Sequence, residues 1–125
     1  MGYYSNVAIT MKESSYKNMK AAAEKTNNIS IISLIDVMKV HKADDYVQLG
    51  IDNVKWYDSL SEIAFVIDYL RKMEEADEEY HYIRIGEDAD DYETYNNINS
   101  NHMFGYTPFV ERRIRFSDGT VGDPI

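Results

Sequence analysis

Carboxylates are the residues of this chain with the most chemistry in them, and they are unevenly placed. Ten of the 22 acidic residues fall between Glu74 and Glu93. Glu74, Glu75, Asp77, Glu78 and Glu79 form one cluster, and Glu87, Asp88, Asp90, Asp91 and Glu93 form a second. Tyr80-His81-Tyr82-Ile83-Arg84-Ile85-Gly86 lies between them and reads as a strand, with Arg84 the sole Lys or Arg of the stretch. Bringing so many like charges together costs self-repulsion. That cost is tolerable on a solvated surface and useful against a basic partner. Carboxylates a few ångströms apart resemble a phosphate track and occupy Lys and Arg side chains that otherwise hold nucleic acid. The plain alternative is a solvated helix end followed by an exposed loop.

Other chemistries are less well supplied. Asp88-x-Asp90-Asp91-x-Glu93 offers clustered oxygen ligands of the kind calcium prefers. However, the sixth position from Asp88 is not glycine and the twelfth is not glutamate, so the EF-hand pattern fails and no metal site is assigned. His41, His81 and His102 have no ligand-like spacing, no serine is marked as a nucleophile, and Gly86, Gly105, Gly119 and Gly122 are too isolated to cradle a phosphate. No catalytic residue and no cofactor are assigned. Arg112-Arg113-x-Arg115 is a short basic run whose expected role is to pair with the chain's own acidic clusters, each exposed pair contributing about 0–1 kcal/mol.

The 11 tyrosines offer a different surface. With the strand phases read below, Tyr4, Thr10, Tyr46, Gln48, Tyr80, Tyr82 and Arg84 share the sheet face away from the helices. An aromatic sheet face stacks bases in RNA-recognition folds. Here the surrounding positive charge is missing, which disfavours a nucleic-acid chain. It leaves room for a small nucleotide on Tyr46, Tyr80 and Tyr82 beside Arg84, for a partner protein, or for a covering segment or second copy.

The elements that position these groups follow from periodicity. Tyr3, Ser5, Val7, Ile9 and Met11 alternate with Tyr4, Asn6, Ala8 and Thr10, which predicts a half-buried strand. Ser14 or Ser15 is placed to cap a helix running to Thr26-Asn28, and Ile31, Leu34, Ile35 and Met38 predict a second short helix to about Asp36. Val37–Lys42 and Tyr46–Lys55 read as an antiparallel hairpin, with a bulge expected at Gly50 or Asn53. Ser59 and Glu62 suggest a capping box for a helix whose stripe is Leu60, Ile63, Ala64, Ile67, Leu70 and Met73. After the Tyr80–Ile85 strand, Asn96, Asn97, Asn99 and Asn101 suggest turns. A last strand is expected over Phe109–Phe116, with a loose tail through Pro124.

In order, these elements make a split β-α-β pattern: an α+β, ferredoxin-like sandwich with an antiparallel sheet, two main helices on one face and an extra C-terminal strand. A length of 125 residues suits a single domain, with a core over about 3–93 and an extension over 94–125. The net charge of −9 opposes direct binding to nucleic acid or to an anionic membrane. Zero cysteines exclude disulfides and thiolate chemistry and fit a cytoplasmic protein. The start lacks the basic and apolar regions of a secretory signal, and no apolar run approaches the roughly 20 residues of a membrane span.

Three strings, Tyr4-Ser5-Asn6-Val7-Ala8-Ile9, Val54-Lys55-Trp56-Tyr57 and Ile83-Arg84-Ile85-Gly86-Glu87-Asp88, resemble a group of small, acidic, mostly uncharacterised proteins of bacterial phages and prophages. The resemblance covers about residues 3–93 and brings no catalytic residues with it. It implies a protein that binds and blocks a basic host or defence protein, such as a CRISPR effector, with sequestration of a nucleotide signal as the alternative. A structural or self-assembling phage component, including a homodimer, is a third expectation.

Overall fold

The structure, a computed structural model, describes residues 3–88, 90–98, 113–115 and 121–124. The chain forms β1 (Ser5–Lys12), α1 (Glu13–Lys25), α2 (Ile29–Val37), β2 (Lys39–Ala43), β3 (Tyr46–Val54), α3 (Ser61–Glu75), β4 (Tyr80–Ile85), β5 (Tyr92–Asn97), β6 (Arg113–Arg115) and β7 (Val121–Pro124). Five strands make one antiparallel sheet in the order β2-β3-β1-β4-β5, and β6 pairs with β7 in a separate two-stranded sheet. The fold is α+β with three helices, and the order of its first four strands is compatible with a ferredoxin-like split β-α-β sandwich. The added edge strand is Tyr92–Asn97, where Asn96 and Asn97 had suggested turns. Asn99 and Asn101 lie outside the described residues. The expected Phe109–Phe116 strand is seen only as Arg113–Arg115, and Val121–Pro124 is a strand where a loose tail was expected.

Local chemistry explains most of the boundaries. Helix α1 starts one residue after β1 without a side-chain cap, so neither Ser14 nor Ser15 caps it. Ser15 is instead buried in the first turn and donates to Glu78 Oε1 at 2.9 Å. Asn28 caps α2, its side-chain oxygen accepting from the amides of Ser30 and Ile31 at 3.0 and 3.3 Å. The capping box expected at Ser59 and Glu62 does not form: α3 begins at Ser61 behind Leu60, with no side-chain cap. Its buried face is Ile63, Val66, Leu70 and Met73, rotated toward Val66 from the expected stripe, with Leu60 left at the surface. Its end is well specified. The amides of Asp77 and Glu78 return to the carbonyls of Glu74 and Met73 at 3.1 and 2.8 Å, with Asp77 left-handed at φ 57. That is a Schellman closure with aspartate where glycine is usual.

The expected bulge is at Asn53. Ser5 pairs with Val54 and Val7 with Ile51, which leaves one extra residue in β3, and Asn53 has φ 56. Its amide donates to the Asn6 side chain at 2.8 Å. The helix-facing side of the sheet carries Val7, Ile9, Met11, Val47, Leu49, Tyr80 and Tyr82, which pack with Met19, Ala23, Ile31, Leu34, Ile35, Ile63, Val66, Leu70 and Met73 into one core.

This register corrects the expected tyrosine face. Tyr80 sits opposite Met11 and Tyr82 opposite Ile9, so both point toward the helices, and Arg84 follows them opposite Val7. Tyr46 pairs with Lys12 and lies on the other face with Thr10 and Gln48. The expected nucleotide platform is therefore split, with Tyr80, Tyr82 and Arg84 on the helix side and Tyr46 on the other face. Its tyrosines are also closed to stacking, with relative exposures of 3% for Tyr46, 3% for Tyr80 and 0% for Tyr82.

Candidate functional site

The two carboxylate clusters do sit at opposite ends of β4, a strand long enough to separate them by roughly 17 Å. The first cluster closes α3 and enters β4. Glu74, Glu75 and Asp77 are exposed, while Glu78 is partly covered beside Ser15 and Glu79 is buried. Glu79 meets Lys12 Nζ at 3.5 Å, and Asn97 of β5 donates to Asp77 Oδ1 at 3.3 Å and to the Glu78 carbonyl at 3.0 Å. The second cluster occupies the turn from β4 to β5, where Glu87, Asp88 and Asp90 are exposed.

Asp91 and Glu93 have a different fate. Both are turned to Arg84, whose side chain is only 12% exposed. Nη2 of Arg84 lies 2.6 Å from Asp91 Oδ1, Nη1 lies 3.1 Å from Asp91 Oδ2, and Nε lies 2.7 Å from Glu93 Oε1. Nη1 also reaches Ser5 Oγ at 3.1 Å. Tyr3 closes the arrangement: its hydroxyl donates to Asp91 Oδ2 at 2.5 Å and accepts from the Asp88 amide at 3.0 Å. The Asp91 hydrogen bond, then that of Glu93, pushes the Arg84 pKa further above its ordinary value. Charge-assisted, bidentate bonds of this kind hold the guanidinium in place and leave it little capacity to meet an incoming phosphate.

Along the other side of Glu93, a cavity of about 240 Å³ runs between α3 and β5. Asp58, Glu74, Glu93 and Arg71 give it charge, Tyr80 and Tyr95 give it aromatic walls, and Ile67 and Leu70 give it an apolar floor. Tyr95 stacks on Tyr82 with ring centroids 5.6 Å apart and is itself half exposed. Its hydroxyl reaches Glu93 Oε2 at 3.5 Å, and the Tyr80 hydroxyl reaches Glu74 Oε1 at 3.4 Å. Arg71 turns to Asp68 at 3.6 Å on the exposed helix face. Burial, then Glu74, pushes the Tyr80 phenol up to about 12; burial, then Glu93, raises Tyr82 as well.

The histidines form no constellation. His41 is exposed on β2, His81 sits on the face opposite Tyr82 with its pKa lowered by burial, and His102 lies outside the described residues. Arg113 and Arg115 fall on β6, but the pairing expected of their side chains, like Arg112 itself, lies outside what is described. Among the described residues no group of three or more His, Cys, Asp or Glu side chains is placed to hold a metal ion, and no helix is long and apolar enough to cross a membrane.

The cavity residues Asp58, Arg71 and Tyr95 were not singled out by sequence patterns. Only the alternation of Glu93 with Tyr95 hinted at them, and it is too short to stand out from a polar loop. No protein-family model, no curated protein and no solved structure matches this chain.

Proposed function

We propose that this protein is a non-enzymatic acidic binding protein that occupies a basic, nucleic-acid-holding site on another protein. The observation that carries the reading is that Glu74, Glu75, Asp77, Glu87, Asp88 and Asp90 are exposed, while the largely buried Arg84 engages Asp91 and Glu93 and the exposed Lys12 engages Glu79. The exposed carboxylates are mounted on ordered backbone, one set on a closed helix end and the other on a turn held by Tyr3 and Arg84. Fixed charge loses less entropy on binding than charge on a free tail. The resemblance to small phage proteins suggests a host or defence protein, such as a CRISPR effector, as the target. The tyrosine platform that would have favoured a nucleotide sponge is buried and split between two faces, which weighs against that alternative.

The test is capture of partners from bacterial lysate by the tagged protein at about 0.1 M and about 1 M salt, where the Debye length falls from about 10 Å to about 3 Å. The reading expects a nucleic-acid-handling protein retained at low salt, shed at high salt and lost from a Glu87→Lys, Asp88→Lys, Asp90→Lys variant. Retention of the same protein by that folded variant overturns it.

A further inference from the structure

Strand β5 is an edge of the five-stranded sheet, with no strand among the described residues on its outer side. The Gly86 amide donates to the Asp91 carbonyl at 2.8 Å, which sets the phase of the β4–β5 ladder. Glu93, Tyr95 and Asn97 therefore turn their backbone groups toward β4, and Tyr92, Thr94 and Asn96 turn theirs outward. Sheet edges are usually blunted by proline, lysine or a covering element. This one carries neither proline nor lysine, and Tyr92, Thr94 and Asn96 are exposed. The acidic cavity lies directly beside it, on the helix side, where Tyr95 and Glu93 project.

We propose that β5 docks an extended basic segment of a partner protein, which adds a strand to the sheet and seats one arginine or lysine side chain in the cavity. The inference rests on the acidic-binding reading and names the form that the partner takes. Successive side chains of an added strand point to opposite faces, so every second residue overlies the helix side. There the cavity presents the carboxylates of Asp58 and Glu74 beside Arg71, the outer oxygen of Glu93, whose other oxygen meets Arg84, and the face of Tyr95 for a cation–π contact. Glu87, Asp88 and Asp90 at one end of β5, and Glu75 and Asp77 at the other, extend the attraction along the same line. A second copy of the chain fits this edge poorly. Antiparallel pairing of β5 with β5 would bring the Glu87, Asp88 and Asp90 turn of each copy toward Glu75 and Asp77 at the other end of its partner's strand, which costs like-charge repulsion.

The test uses the full chain and a fluorescent peptide of alternating arginine and threonine, read by anisotropy. Thr94→Pro removes an outward amide and leaves the β4–β5 ladder intact, as edge strands allow. The proposal expects it to weaken binding by about tenfold or more, the loss of one or two backbone hydrogen bonds with their register. Tyr95→Ala is expected to weaken it as well. A peptide of the same charge, N-methylated on alternate backbone amides, leaves the protein untouched and is expected to lose binding even if Thr94→Pro disturbs folding. Equal binding of plain and N-methylated peptides overturns edge docking and leaves the acidic reading standing, because only charge would then be at work. No binding of the plain peptide also overturns edge docking. The acidic reading itself fails only by the separate lysate result described above.

Discussion

Arg84 of β4 and Asp91 at the head of β5 meet across the hairpin turn as a two-point pair, Nη2 to Oδ1 at 2.6 Å and Nη1 to Oδ2 at 3.1 Å. Glu93 takes the remaining edge of the guanidinium at 2.7 Å. One cation thus gathers two carboxylates from the acidic run and ties the edge strand to the sheet. The pair explains why a turn so rich in aspartate holds a fixed shape beside its own repulsion.

Removing the cation should expose that repulsion. Arg84→Met is expected to destabilise the fold by about 2–3 kcal/mol, since it leaves two partly buried carboxylates without their cation. Urea unfolding reads this as a lower midpoint. Adding Asp91→Asn and Glu93→Gln should restore part of the loss, whereas an unchanged midpoint in Arg84→Met would show that the pair contributes nothing.

Gly86 reports on the same arrangement from the backbone side. A β-carbon there would collide with the Asp91 carboxylate and the Tyr3 hydroxyl. Asp91 cannot retreat without losing Arg84, so Gly86→Ala is expected to cost about 1–3 kcal/mol, the range of an overpacked site. A thermal melt checks it, and combining Gly86→Ala with Tyr3→Phe should relieve only the part of the clash that involves the hydroxyl.

The buried phenols predict alkaline sensitivity. Tyr80 has its pKa pushed up to about 12, with burial first and Glu74 next, and Tyr82 is raised too. The unfolded chain gives up these protons from about pH 10 while the folded chain keeps them. Their contribution is therefore complete below pH 10 and falls as the pH climbs toward 12, with a slope of up to about 1.4 kcal/mol per pH unit for each tyrosine. Denaturant midpoints measured across that window should drop for the wild type and drop less for Tyr80→Phe. Tyr82→Ala should cost about 3–5 kcal/mol at neutral pH as a core truncation, which separates a packing role from a ligand-stacking one.

The two kinds of carboxylate should part under charge reversal. Glu87→Lys, Asp88→Lys and Asp90→Lys change exposed residues and are expected to shift stability by no more than about 0.5 kcal/mol each while abolishing salt-sensitive partner capture. Asp91→Lys places a cation against Arg84 and is expected to unfold the hairpin. Circular dichroism melts of the two variants side by side check the contrast.

Composition and periodicity alone determined the order of the elements from β1 to β4, because alternation in β1 and the apolar stripe of α3 are local consequences of side chains meeting one core. They also located the acidic run, since charge content needs no fold to be counted. Tertiary structure decided which face of β4 turns inward. His81, Ile83 and Ile85 alternate with Tyr80, Tyr82 and Arg84, and either set is apolar enough to be buried; only the pairing of Met11 with Tyr80 and Ile9 with Tyr82 chooses. It also decided that Tyr92–Asn97 is a strand, because an edge half open to water carries little apolar signal and is held by the β4 ladder and Arg84. The same long-range contacts divided the ten carboxylates into those that face solvent and those held by the protein itself. That division depends on where Arg84 and Lys12 arrive in space, which no spacing along the chain records.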